Sequence, residues 1–325
     1  MNRIIAILII TFFSLAIISC EKGFNINDDY SVTTIVYGLI DPTDSISYLR
    51  IQKSFLTEGD AFEAAQIADS NLFPYKFDVK LRAENGDIVV TFDTITIYNK
   101  NEGFFYSPKT LVYYAVTKDL LNDSDVYTLE INNPKNGKQV SAKSQFIDGS
   151  KLNIDFPNQV IHIDANNKYS IGFNSIKNAR LYSANIRFHY KEEHIETGDS
   201  AWSYVDWTLP PILSSDLNGD EELRIYYYSN DFYSNLKDNI LINEKIIRKE
   251  GQVELTVFIS DETFHYYLAA NDPSTSLIVV RPDYTNIENG LGIFASRSKK
   301  TIFTKLNASS HATLIGLDSL NFENW

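Results

Sequence analysis

Cysteine is almost missing from this chain: Cys20 is the only one in 325 residues. No disulfide can therefore form within one molecule. Basic residues are scarce as well, with 29 Lys and Arg against 42 Asp and Glu and a formal net charge of −13. Nucleic acid is excluded as an expected ligand on that ground, because its phosphates are neutralised by clustered Lys and Arg. The same sign of charge argues against electrostatic adhesion to anionic lipid. The longest apolar run covers residues 4–18, short of the roughly 20 residues that a spanning helix needs. There is no repeat at a fixed period and no G-x-S-x-G nucleophile elbow.

What is present begins with that short run. Arg3 followed by apolar residues 4–18 reads as a signal peptide over residues 1–19. Ile17-Ile18-Ser19-Cys20 resembles the lipobox of bacterial lipoproteins, in which a small residue precedes a cysteine that is diacylated and becomes the new N-terminus. A plain signal peptide or an uncleaved anchor is the alternative. Lipidation at Cys20 would give the lone thiol a use: one acyl chain holds a membrane only marginally, whereas a diacylglyceryl thioether plus an N-acyl group such as palmitate anchors stably. Loss of Arg3 leaves 28 basic and 42 acidic residues, a net −14, so the acyl chains must supply the attachment. The acidity itself serves solubility.

With 44% hydrophobic residues, 20 Tyr and 20 Phe, the remaining chain has ample core material. About 306 residues exceed what one core usually holds, so two domains are expected. Residues 20–29 are polar apart from Phe24 and Ile26 and read as a lipidated tether. Residues 30–148 carry short apolar runs rich in β-branched and aromatic residues, with strands expected at 33–39, 48–56, 77–84, 88–97, 111–117, 126–131 and 139–146. Seven strands suit an immunoglobulin-like β-sandwich. Asp41-Pro42-Thr43-Asp44, Glu84-Asn85-Gly86-Asp87 and Asn133-Pro134-Lys135-Asn136-Gly137 supply the turns. Asp60 and Glu63 form a capping-box pattern that predicts a short helix after the second strand. Asp148-Gly149-Ser150-Lys151 punctuates the chain, and residues 149–325 read as a second, fibronectin-like β-rich domain with helical insertions. Its strands are expected at 169–173, 184–192, 203–209, 253–260, 292–296 and 301–306, and its helices at 231–239 and 261–270, the latter capped by Asp261.

Three stretches together resemble a family of Gram-negative lipoproteins carrying domain of unknown function 4249: Ile35-Val36-Tyr37-Gly38-Leu39-Ile40-Asp41, Tyr48-Leu49-Arg50-Ile51-Gln52-Lys53-Ser54-Phe55-Leu56, and Tyr284-Thr285-Asn286-Ile287-Glu288-Asn289-Gly290-Leu291-Gly292-Ile293-Phe294. The resemblance is scattered over most of the chain beyond the signal peptide. It implies a lipid-anchored protein of the outer membrane, on its periplasmic or its surface face, often encoded near TonB-dependent receptors. It implies no established activity and no catalytic residues.

Several constellations bear on chemistry. Gly290-Leu291-Gly292-Ile293-Phe294-Ala295 spells a dinucleotide loop, but that chemistry needs a helix after the glycines. Here Asn289-Gly290 predicts a tight turn that delivers Ile293 and Phe294 into a strand of the second domain, so no nucleotide and no other cofactor is expected. Asp216, Asn218 and Asp220 alternate as in a calcium loop, yet the twelfth position is Tyr227 instead of Glu; a turn with solvated carboxylates is the first reading and a calcium site the alternative. His189 and His194 lie five apart, an odd offset that sends strand side chains to opposite faces and disfavours zinc. Trp202, Tyr204 and Trp207 cluster in one expected strand. Period two puts Trp202 and Tyr204 on one face, to stack on a glycan or anchor a protein partner, and Trp207 on the other; core packing is the competing role. A non-catalytic binding or assembly role, beside an outer-membrane transporter, is the first expectation. A secreted glycan-active or other hydrolase, whose paired carboxylates need no sequence motif, is the second.

Overall fold

A computed structural model describes residues 32–324 except 58, 99–100, 102, 104–105, 107–108, 156–159 and 272–283. The signal peptide, Cys20 and the tether lie outside the described residues. The protein is mostly β, and two hydrophobic cores organise it.

The first core lies between β1 (Thr34–Ile40), β2 (Ile46–Lys53), β3 (Asp78–Ala83), β4 (Val89–Ile97), β5 (Thr110–Val116), β6 (Val126–Asn132) and β7 (Gln139–Gln145). Alternation drives these strands: Val79, Leu81 and Ala83 of β3 and Tyr127, Leu129 and Ile131 of β6 point inward. Arg82 and Glu130 face outward between them and pair at 2.9 Å. The strands pair in the orders β1-β2-β5-β4 and β3-β6-β7, which are the two sheets of an immunoglobulin-like sandwich. Strand β4 forms the corner, pairing with β3 over residues 89–92 and with β5 over 93–97. After β2, the Asp60 carboxylate accepts the Phe62 N–H at 2.7 Å and starts helix α1 (Ala61–Ala65), followed by a helical turn, α2 (Ala68–Asn71).

The second core is closed by three strands packed on four. The strands that follow in sequence are β8 (Ile154–Asp155), β9 (Val160–Ile161), β10 (Lys168–Asn174), β11 (Ala179–His194), β12 (Ser200–Thr208), β13 (Ile212–Leu213), β14 (Glu222–Tyr228), β15 (Ile246–Asp261), β16 (Leu291–Leu306) and β17 (Phe322–Glu323). One sheet runs β14-β10-β8 and the other β12-β11-β15-β16. This is the fibronectin-like arrangement expected from sequence, and helices α3 (Ser229–Asn239), α4 (Glu262–Asn271) and α5 (Ala308–Ile315) are its insertions. Phe232 and Leu236 of α3 reach the same core as Ile186 and Phe188 of β11 and Leu255 and Val257 of β15.

Strand β16 differs from expectation. The sequence places two strands here, at 292–296 and 301–306, with polar Arg297-Ser298-Lys299-Lys300 between them. It is one continuous strand, and Ser296 and Ser298 are buried in it. Their hydroxyls accept the N–H groups of Ile147 and Gly149 at 2.9 and 3.0 Å, so the crossing chain satisfies them. Ile293 and Phe294 are also not in the second sandwich. The first part of β16 pairs in parallel with β1, Ile35 opposite Leu291 through Ile40 opposite Ser296, and Phe294 packs in the first core, 6.0 Å from the Phe146 ring. Antiparallel pairing with β15 takes over at Arg297. One strand thus belongs to both sandwiches.

That register sets the long axis. Residue 34 and the start of β16 lie at the outer end of the first sandwich. Beyond Val253, opposite Thr304, β15 runs back to Ile246, which pairs with His194 at the far end of the second. The strand path between these ends is about 60 Å at ~3.3 Å per residue. At the seam, buried Asp261 accepts N–H groups of Ser296 and Phe264, both at 2.8 Å, and the Ser144 hydroxyl of β7 at 3.3 Å.

Candidate functional site

The outer face of the four-stranded sheet carries the exposed aromatics. On β12, Trp202 and Tyr204 point outward with 61% and 53% of their surface exposed. Trp207 points inward, edge-on to Tyr227 at 5.8 Å and tilted against Phe232 at 5.6 Å. The alternation read from sequence therefore separates the three: two form a surface, and the third packs against the core.

A glycine prepares the place for Trp202. The pairing of β11 with β15 shifts register between Phe188 and Tyr190, so Gly251 and Gln252 together oppose His189. Such a bulge re-aims side chains beside it. A Cβ at Gly251 would lie 2.7 Å from Cζ3 of Trp202 and 2.8 Å from the His189 carbonyl oxygen. The indole thus rests on bare backbone, in a space any larger residue would fill.

Charge surrounds Tyr204. The Arg187 guanidinium stacks 4.1 Å from the centre of its ring and reaches Asp206 with two hydrogen bonds of 2.8 Å. Those hydrogen bonds hold the Asp206 carboxyl below its ordinary pKa and the Arg187 guanidinium above its own. His189 lies opposite Tyr204 across the strands, its Nε2 3.5 Å from the Glu254 carboxylate. Glu254 in turn faces Phe303 of β16, 62% exposed. Phe303 was missed from sequence; its signal was parity, since it alternates with half-buried Ile302 and buried Thr304. The assembled face offers flat aromatic rings bordered by fixed ion pairs, suited to stacking and to hydrogen bonds at its rim.

The other candidates do not gather. Asp216 accepts the Asn218 N–H at 2.7 Å, closing its own turn, and Asp220 takes a left-handed φ of 64° while its N–H goes to the Ser175 carbonyl. Glu221 is held by the Ser214 hydroxyl and the Ser215 N–H, and Glu222 pairs with Arg224. Among the described residues no group of three or more His, Cys, Asp and Glu side chains is arranged to hold a metal ion. At the dinucleotide-like stretch, Asn289 and Gly292 have φ of 60° and 103°, and strand β16, which begins at Leu291, stands where a nucleotide loop would need a helix. Cys20 lies outside the described residues. In sequence comparisons, neither a family model nor a curated protein matches the chain.

Proposed function

We propose that the protein is a lipoprotein anchored in the outer membrane through Cys20, with a non-catalytic binding or assembly role alongside a TonB-dependent transporter. The observation that carries the binding role is the Trp202 and Tyr204 platform: Trp202 rests on the Gly251 bulge with its ring exposed, and Arg187 and Asp206 fix Tyr204. Aromatic and Arg side chains held rigid in this way anchor partners at small entropic cost. Val32, the first described residue, lies at the opposite end from Trp202, whose partner Lys191 lies three residues from the end of β11. An anchored molecule would therefore present this face away from its attachment. Asp206, the carboxylate that borders Tyr204, is engaged by two hydrogen bonds from Arg187, which suits it to fixing the rim of a binding surface.

The test is affinity purification from gently solubilised membranes, comparing wild type with Trp202→Ala/Tyr204→Ala. A β-barrel transporter should accompany the wild type and be lost from the double variant, whose melting curve should stay close to wild type because both rings are exposed. A transporter retained equally by both proteins would refute the platform as the contact. Turnover of a glycan by the purified protein would refute the non-catalytic reading.

A further inference from the structure

A second site lies at the outer end of the first sandwich, far from the platform. A cavity of about 510 Å³ opens there, between the start of β1, the segment that leads into β3, and the β6–β7 turn. Its floor is aromatic. Phe73, Tyr75 and Phe77 alternate along the chain and pack together, Phe73 edge-on to Phe77 at 4.8 Å and Tyr75 tilted against both at 5.6 Å. Phe77 is buried, whereas Phe73 and Tyr75 keep part of their surface open.

Its rim is made of side-chain amides and one amine. Asn133 donates its Nδ2 to the Tyr75 hydroxyl at 3.1 Å and accepts the Lys135 N–H at 2.9 Å. That leaves the Tyr75 proton to point elsewhere. Asn136 uses its oxygen to accept the Lys138 N–H. Its Nδ2, the Lys138 amine and the Gln139 side-chain amide make no hydrogen bond among the described residues. Three unengaged donors and one hydroxyl therefore surround an aromatic floor, with no carboxylate among the described residues of the lining.

We propose that this cavity binds a saccharide unit, of the size of a monosaccharide or disaccharide. The apolar face of a pyranose would lie on Phe73 and Tyr75, and vicinal hydroxyls would be met by Tyr75, Asn136, Lys138 and Gln139. Side-chain amides suit this ligand because each offers a donor and an acceptor to groups that are themselves both. A nucleotide or other phosphate is disfavoured, since Lys138 is the lone cation among the described residues of the lining.

The experiment is saturation-transfer NMR on the full-length lipoprotein in nanodiscs, with maltose, cellobiose, chitobiose and mannobiose as probes and a pool of tripeptides for comparison. Asn136→Ala/Lys138→Ala changes two exposed turn residues, and Tyr75→Phe removes a single hydroxyl, so both proteins should fold. At least one disaccharide should bind wild type, and removing two hydrogen bonds should weaken it roughly tenfold. Trp202→Ala should leave that binding unchanged, which separates this site from the outer-face platform. The proposal is overturned if no disaccharide gives transfer, if only tripeptides do, or if transfer is undiminished in both cavity variants.

Discussion

Arg248 offers the sharpest test of how the second sandwich holds its C-terminal end. It is only 2% exposed, yet every arm of its guanidinium is used. Nε and Nη2 contact the Glu192 carboxylate at 2.9 and 2.8 Å, Nη1 donates to the Leu320 carbonyl at 2.9 Å, and Nη2 donates to the Leu241 carbonyl at 2.9 Å. One side chain thus ties β11, the loop after α3 and the turn before β17 together. Arg248→Met keeps an unbranched apolar stem but removes every donor. Breaking a buried ion pair from one side costs about 3–5 kcal/mol. Glu192 is a third exposed and can rehydrate, which moves the value to the low end, whereas each of the two carbonyls left without this donor adds about 1 kcal/mol. A net loss of about 5 kcal/mol is expected, a drop in melting temperature of roughly 10–20 °C for a body of this size. Urea denaturation followed by circular dichroism measures it, with Arg248→Met/Glu192→Gln completing a double-mutant cycle. If Arg248→Met lies within about 1 kcal/mol of wild type, the guanidinium is not the tie described here.

Other perturbations probe the seam, the turn and the anchor. Burial raises the Asp261 carboxyl from 3.8 to about 6, so the folded protein holds a proton there that the unfolded chain has released. Its contribution is complete below about pH 4 and is lost as pH rises through 6, by about 3 kcal/mol in all. Measured against Asp261→Asn at each pH, the wild-type advantage should shrink across that window; an advantage that grows with pH would contradict the assigned direction. Gly292→Ala would put a Cβ 2.0 Å from the Val36 carbonyl oxygen at a φ of 103°, and should part β1 from β16 and destabilise by more than about 3 kcal/mol. Gly290→Val should cost roughly 1–3 kcal/mol, here from contact with the Thr34 carbonyl oxygen and Ile287, and NAD should shift the melting curve of neither protein. Cys20→Ser should release the protein from membranes; a variant that still pellets after a high-salt wash would defeat the lipoprotein reading.

Local chemistry was legible in the sequence wherever a residue's role depends on its near neighbours. Alternating Val79, Leu81 and Ala83 specified a strand and its buried face, Asp60 and Asp261 announced helix starts that their carboxylates do cap, and an odd spacing told Trp207 from Trp202 and Tyr204. Where two strands were expected, polar Arg297 to Lys300 runs on as strand for a physical reason. A serine is a turn residue when its hydroxyl must find local backbone, and a core residue when a distant chain supplies a partner; Ile147 and Gly149 are that chain, 149 residues away. The same holds for the parallel pairing of β1 with residues 291–296, the bulge that fits Gly251 beneath Trp202, and the cavity that joins Phe73 and Tyr75 to Asn136 and Asn289. Each needs two segments far apart in sequence to meet in one register. Side-chain period and turn chemistry carry no record of which segments meet, so the sequence by itself determined the two kinds of sandwich, and only the tertiary structure decided the strand that belongs to both.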